Sequence, residues 1–282
     1  MSWIVLALAS VIFFSISALL QKVLMKNDKS DPYAYSIMFQ FLIWAVAATV
    51  VLWTGFVMPP IKTYPLNFLF SSVMYGLGTI CAFKALKYIE ASEFTIISSV
   101  KAIVTIISAV LILGEVFDYK KALGTALVLI SAYLVTQKSR KIKFNKGTLY
   151  ALGTALTYGL AITNDTFLLK YSEVFSYLTV GNLITVLFVI AIKPTAVKNL
   201  NHFFDLAILS KMLILGILYS FGAVAFYLAI QSGAAASQIS PILQTSVIVT
   251  VLLAAIFLGE RDNLVKKIAS AILVTIGVIL IK

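Results

Sequence analysis

The chain has 282 residues, of which 61% are hydrophobic and only 12% charged, and its mean hydropathy is +1.02. A soluble domain carries about 25% charged residues, so the composition excludes an ordinary soluble enzyme and points to a chain embedded in lipid. The formal net charge of +11 does not imply a nucleic-acid partner, because the basic residues lie in short segments between apolar stretches, where they report orientation in the bilayer.

A membrane-crossing helix needs roughly 20 mainly apolar residues. Ten stretches reach or approach that length, at about 3–25, 34–54, 66–86, 91–113, 121–136, 148–169, 174–192, 210–230, 235–258 and 264–281. The first lacks a basic leader and a small-residue cleavage site, and reads as an uncleaved span rather than a signal peptide. Trp3, Trp44 and Trp53 read as interfacial or core aromatics. Gly76 and Gly78 in the third span, with Gly216 and Gly222 in the eighth, permit close backbone approach between helices. Tyr75 and Tyr219 occupy matching places in those two spans and are positioned to border a cavity. Cys81 is the only cysteine and lies inside the third span, which leaves no disulfide framework or thiolate cluster. His202 is the only histidine and lies in a connection, so no metal site built on two histidines is available. The sequence thus predicts an all-α integral membrane protein with ten transmembrane helices, no cofactor and no metal.

The chain also repeats itself. Residues 91–115 (ASEFTIISSVKAIVTIISAVLILGE) align with 236–260 (ASQISPILQTSVIVTVLLAAIFLGE), which puts Ala91 on Ala236, Ser92 on Ser237 and Glu115 on Glu260. Earlier, Ala7, Leu8, Phe14 and Lys26 align with Ala151, Leu152, Tyr158 and Lys170. Residues 1–137 and 148–282 are therefore read as two five-helix repeats joined by the basic linker 138–147, KSRKIKFNKG. An odd number of spans per copy gives the copies opposite orientation in the bilayer. Inverted repeats of this kind place a substrate site at the interface between halves that rock to expose it to each side in turn. Sixteen lysines and arginines flank the loops after the odd-numbered spans and five the other face, which places both termini outside the cytoplasm.

Leu113-Gly114-Glu115 and Leu258-Gly259-Glu260, ending the fourth and ninth spans, resemble the EamA-like branch of the drug/metabolite transporter superfamily. Ala82-Phe83-Lys84-Ala85-Leu86-Lys87-Tyr88 before Ala91-Ser92, and Phe226-Tyr227-Leu228-Ala229-Ile230 before Ala236-Ser237, carry the same resemblance, which covers essentially the whole chain. It implies transport of small metabolites such as amino acids, sugars or nucleotide-sugars, and both termini in the cytoplasm, the reverse of the loop-charge reading. The chain departs from the family pattern where a proline often stands midway along the fourth and ninth spans; Ala102 and Val247 take those places.

Polar side chains in transmembrane helices face other helices or a wet cavity, and helical spacing groups them. Ser10, Phe14, Ser17 and Gln21 form one stripe, matched by Thr154, Tyr158, Ala161 and Asp165 in the sixth span. Ser98, Lys101, Thr105 and Ser108 form another in the fourth span, answered by Ser237, Ser240 and Gln244 in the ninth. Lys101 stands near the bilayer midplane, where a charge costs about 2.5–3.5 kcal/mol even on insertion scales. It reads as a cationic anchor for a substrate carboxylate or phosphate, as half of an internal ion pair with Asp165 or Glu93, or as a titrating lysine. Asn164 and Asp165 read as a proton-carrying or substrate-binding pair, or else as headgroup-level residues capping the span or pairing with Lys170. Glu115 and Glu260 read as structural, capping the next helix or pairing with a basic loop.

The function expected is secondary transport of a small polar metabolite, such as an amino acid or other carboxylate-bearing compound, by alternating access in the plasma membrane. The site would use Lys101, Tyr158, Asn164, Asp165, Gln244, Gln21, Ser98, Tyr75 and Tyr219. No GxxxxGK[ST] motif is present, so a proton or sodium gradient, exchange, or the substrate's own gradient would supply the energy. The partners expected are the small-molecule substrate and the lipid bilayer, with no nucleic acid, and the protein would be a monomer or homodimer. The alternatives are a lipid-linked sugar flippase of the same fold and a non-transporting membrane protein. A membrane enzyme built on Ser98 and Lys101 would lack a recognisable oxyanion hole.

Overall fold

The computed structural model describes residues 2–26, 30–89, 91–136, 145–257 and 264–281. Within them the chain forms α1 (Trp3–Met25), α2 (Pro32–Thr54), α3 (Pro65–Tyr88), α4 (Ala91–Ser98), α5 (Lys101–Leu113), α6 (Tyr119–Thr136), α7 (Lys146–Leu168), α8 (Val174–Ile192), α9 (Leu206–Gln231), α10 (Ala236–Leu243), α11 (Ser246–Phe257) and α12 (Leu264–Ile281). A 3₁₀ segment, Pro194–Phe204, links α8 to α9, and no strand occurs among the described residues. Most of the linker 138–147, together with Leu258-Gly259-Glu260, Arg261 and Asp262, lies outside the described residues, as does the side chain of Glu93.

The protein is all-helical and multi-pass. Helices α1, α2, α3, α8 and α9, of 19 to 26 residues, are each long and apolar enough to cross a bilayer. Their starts are written locally. Asp31 caps α2 by accepting from the Tyr33 N–H ahead of Pro32 in the first turn, and Asn145 caps α7 by accepting from Thr148. Glu173 takes the Phe175 and Ser176 N–H groups of α8. Asp205 caps α9 and starts it at Leu206, ahead of the stretch predicted from 210. Several hydroxyls inside the spans turn back onto their own helices, as in Ser15 to Val11, Thr157 to Gly153 and Ser220 to Gly216. That satisfies them where no water competes. Outward-facing Leu52, Leu66, Leu111, Ile112 and Leu187 stay exposed, apolar surface of the kind a bilayer would cover.

Two stretches predicted as single spans are each two helices. The fourth breaks at Ser99-Val100 and the ninth at Gln244-Thr245, positions that the repeat alignment superposes. At both breaks the backbone tightens to three-residue hydrogen bonds: Val100 N–H to Ile97, Ala102 to Ser99, Gln244 to Pro241 and Thr245 to Ile242. Pro241 lies inside α10, three residues before the second break; its missing amide and its ring act on the turn that precedes it, so it does not account for the break. No proline stands at the first.

Helix α3 packs along α7, α1 along α9, α2 along α8 and α6 along α12. Gly78 of α3 sits directly under the Tyr158 ring, and Gly222 of α9 under Phe14, where an added Cβ would lie 2.9 Å from the ring. At one end of the bundle, Tyr35, Phe39, Phe83, Leu86, Met212 and Leu215 bury fully in a common core.

Candidate functional site

A cavity of about 160 Å³ opens among α1, α2, α3, α4, α5, α7, α8, α9, α10 and α11. Of the predicted site residues, Lys101, Tyr158, Tyr75, Tyr219, Gln21 and Ser98 line it. Lys101 opens α5 immediately after the break between α4 and α5. Among the described residues no carboxylate hydrogen-bonds to it or pairs with it; the ion pair found there, Lys193 with Asp31 at 3.7 Å, lies elsewhere. The ammonium of Lys101 is therefore the cationic feature of a wall whose other polar groups are hydroxyls and amides set among rings and aliphatic side chains.

Tyr158 is held in place from two sides. Its hydroxyl lies 3.0 Å from Thr79 Oγ1, which also accepts from Gln40 Nε2 at 2.7 Å, and its ring rests on Gly78. Gly78→Ala is expected to drive the ring into the cavity at a cost of about 1–3 kcal/mol, as overpacking does. A lowered Tm of the purified protein, beside an unchanged Tm for a control at the open position Gly181, would check this. Tyr219 packs against Phe14 at a tilt and against Phe39 edge-on, with ring centroids 4.8 and 4.7 Å away, so its role in the wall is largely steric.

Asn164, Asp165 and Gln244 do not line the cavity. Asp165 is fully buried, and Lys170, exposed at the end of α7, does not bond to it. Its Oδ1 accepts from Ser71 at 2.6 Å and Tyr177 at 2.5 Å, and its Oδ2 from Tyr75 at 2.6 Å and Tyr227 at 2.7 Å. All four of those donors themselves line the cavity, so Asp165 forms the layer behind its wall. Asn164 exchanges hydrogen bonds with Asn67 and donates to Ser71 Oγ at 2.8 Å. Gln244, at the α10–α11 break, donates back to the Ser240 carbonyl at 3.0 Å. The fourth-span stripe also divides, since Ser98 and Lys101 meet the cavity while Thr105 and Ser108 bond to Gly159 and Thr163 of α7.

Sequence reasoning missed Tyr177, Tyr227, Ser71, Gln40 and Asn182, all in the wall. One signal was present. Ser71, Tyr75 and Thr79 follow a four-residue spacing along α3, the same stripe rule that picked out the first and sixth spans. Glu115 is a cap, as a structural reading expects, but of a different helix. Its two carboxylate oxygens accept from the Ala236 and Ser237 N–H groups of α10, each at 2.8 Å. Asp118 instead caps the next helix, α6, by accepting from Lys121 N–H at 2.9 Å. Packing of α5 on α10 brings the end of one to the start of the other.

One solved structure, titled "Crystal structure of protein", is similar over 96% of this chain and 95% of its own, with a TM-score of 0.72 at 13% identity, a likeness of fold alone. Comparison with curated proteins gives no match. A family model, that of the EamA-like transporter family, matches residues 1–137 and again residues 145–282. With nearly every residue so matched, the chain belongs to the EamA-like transporter family, within the drug/metabolite transporter superfamily.

Proposed function

We propose that this protein is a secondary transporter of a small metabolite bearing a carboxylate or a comparable anionic group, with Lys101 as its anchor. The observation that carries this reading is a lysine in a largely apolar cavity with no carboxylate partner among the described residues. A buried charge left without a counter-ion is costly, and a bound anion removes that cost. Phe14, Ile43, Phe94 and Phe226 give the rest of the wall an apolar surface suited to a short hydrocarbon portion, while Tyr158, Gln21 and Ser98 offer hydrogen bonds.

In this reading the twelve described helices make ten spans, with α4–α5 and α10–α11 each crossing as a broken helix. Residues 1–137 and 148–282 are inverted copies that rock about the cavity. Three features support the arrangement: the breaks fall at repeat-equivalent positions, α3 on α7 mirrors α9 on α1, and the Gly78–Tyr158 contact mirrors Gly222–Phe14. Broken helices at a midplane site are what such transporters use to expose polar groups to cargo.

The test is ligand-induced thermal stabilisation against a metabolite panel, with wild type and Lys101→Gln side by side, since a binder raises Tm by mass action. Anionic metabolites should shift wild type, and Lys101→Gln should need at least about tenfold more ligand for the same shift, which corresponds to about 1.4 kcal/mol. Equal responses in the two proteins would remove Lys101 from the site. Stabilisation by lipid-linked sugars alone would replace metabolite transport with lipid flipping.

A further inference from the structure

One buried ionisable group has no part in holding that anion. Asp165 is fully buried behind the cavity wall, and its four hydrogen-bond donors are all hydroxyls. We propose that Asp165 is a proton-binding site, loaded from the cavity through the hydroxyls of Tyr75, Tyr177 and Tyr227, and that its proton occupancy sets how tightly α3 is held to α7. The transport reading gives this proton its use, but the site itself stands on its own geometry.

The surroundings are complete in either protonation state. Ionised, the carboxylate receives Ser71 and Tyr177 on Oδ1, and Tyr75 and Tyr227 on Oδ2, which fills its four acceptor positions. Ser71 places its one hydrogen on Oδ1 while its oxygen accepts from Asn164 Nδ2 at 2.8 Å, and it keeps both bonds in either state. Protonated, the Oδ2–H donates to the Tyr227 oxygen. The Tyr227 hydrogen then turns to the Tyr75 hydroxyl 3.2 Å away, and Tyr75 keeps its bond to Oδ2. No buried donor or acceptor is stranded, so neither state bears the desolvation cost of an unmade hydrogen bond.

Loading needs only O–H bonds to change. A tyrosine hydroxyl at the cavity wall passes its hydrogen to the carboxylate and takes one from a hydronium in the cavity, which is left as water, so one proton moves inward and the tyrosine is regenerated. The groups facing Asp165 are Ser71 and Tyr75 from α3, Tyr177 from α8, Tyr227 from α9 and Asn164 on its own helix. Lys101 of α5 lines the same cavity, and Lys170 is exposed at the end of α7. Four hydroxyls directing hydrogens at the carboxylate favour a proton over a metal cation, which would need lone pairs directed inward. Hydrogen bonds to an ionised acceptor are roughly twice as strong as neutral ones. The ionised state therefore clamps Ser71 and Tyr75, and with them α3, onto α7, and protonation relaxes that clamp.

Infrared difference spectroscopy between acidic and alkaline buffer, on the purified full chain without ligand, tests the site. Wild type should gain a protonated-carboxyl stretch on acidification that shifts in heavy water. Asp165→Asn should lose that band. Tyr227→Phe should keep it at a changed frequency, because the carboxyl loses one hydrogen-bond partner. Lys101→Gln should leave the band in place while losing metabolite stabilisation, so the two proposals fail separately. If no wild-type band titrates, or if Asp165→Asn retains it, the proton site is overturned. An unshifted frequency in Tyr227→Phe removes the hydroxyl cluster from the assignment, and this second variant decides the matter if Asp165→Asn does not fold.

Discussion

Gly124→Ala and Gly277→Ala are expected to be among the most destabilising glycine-to-alanine changes in the described chain, together with Gly159→Ala, whose Cβ would lie 2.7 Å from Val104 Cβ and 2.9 Å from the Lys101 carbonyl oxygen. A Cβ at Gly124 would lie 2.6 Å from the Gly277 carbonyl oxygen and 2.8 Å from Ile281 Cγ1. One at Gly277 would lie 2.8 Å from the Gly124 oxygen and 2.8 Å from Val128 Cγ2. The obstacle on each side is backbone, which cannot rotate away, so α6 and α12 must separate. At Gly78 or Gly222 the obstacle is an aromatic ring that can swing. At Gly114, with φ of +67° and no atom near the added carbon, alanine meets only the left-handed backbone penalty of about 1–2 kcal/mol.

For α6 and α12 the overpacking loss is placed at about 3 kcal/mol. The double variant should lose much less than twice that, because one close approach is broken only once. Tm of the purified protein decides it, with Gly153→Ala as control, since its Cβ would meet only Cys81 Sγ at 3.2 Å. Equal Tm values for Gly124→Ala and Gly153→Ala would mean that the two helices do not approach so closely.

The helices themselves were readable from apolar length alone, because lipid demands both and little else in the chain competes. The breaks were not readable. Neither Ser99-Val100 nor Gln244-Thr245 carries a breaking residue, and Pro241 stands a turn ahead of the second. Helical stripes placed Lys101, Tyr158, Gln21 and Ser98 on the cavity wall. Tyr75 and Tyr219, picked out by their matching places in the two repeats, also line it. Stripes fail where a face meets another helix instead of the cavity, as Thr105 and Ser108 do against α7. Asp165 shows the deeper limit. Its distance along the chain from Lys170 suggested a depth near the headgroups, but its environment comes from α3, α8 and α9. Spacing within one helix holds no record of which neighbours surround it.

Glu115→Ala is expected to slow transport far more than it weakens ligand binding. The carboxylate is not in the cavity wall, so its loss leaves the anchor untouched. It holds the first two N–H groups of α10, at a helix whose own N-cap, Ala235, has no side-chain acceptor to offer. A lost N-cap costs about 0.5–2 kcal/mol, and a carboxylate at a partly buried helix start adds up to about 2 kcal/mol more. Under the proposed two-repeat arrangement this is a contact between halves, so it stabilises only those states in which α5 and α10 lie together. Removing about 2 kcal/mol from one state of an alternating pair shifts their ratio roughly thirtyfold. Ligand stabilisation of Tm should then survive in Glu115→Ala, while flux of the same ligand into proteoliposomes falls by an order of magnitude. Glu115→Gln, which keeps an acceptor but no charge, should fall between the two. Binding and flux that decline together would reduce Glu115 to an ordinary cap, with no part in the exchange between states.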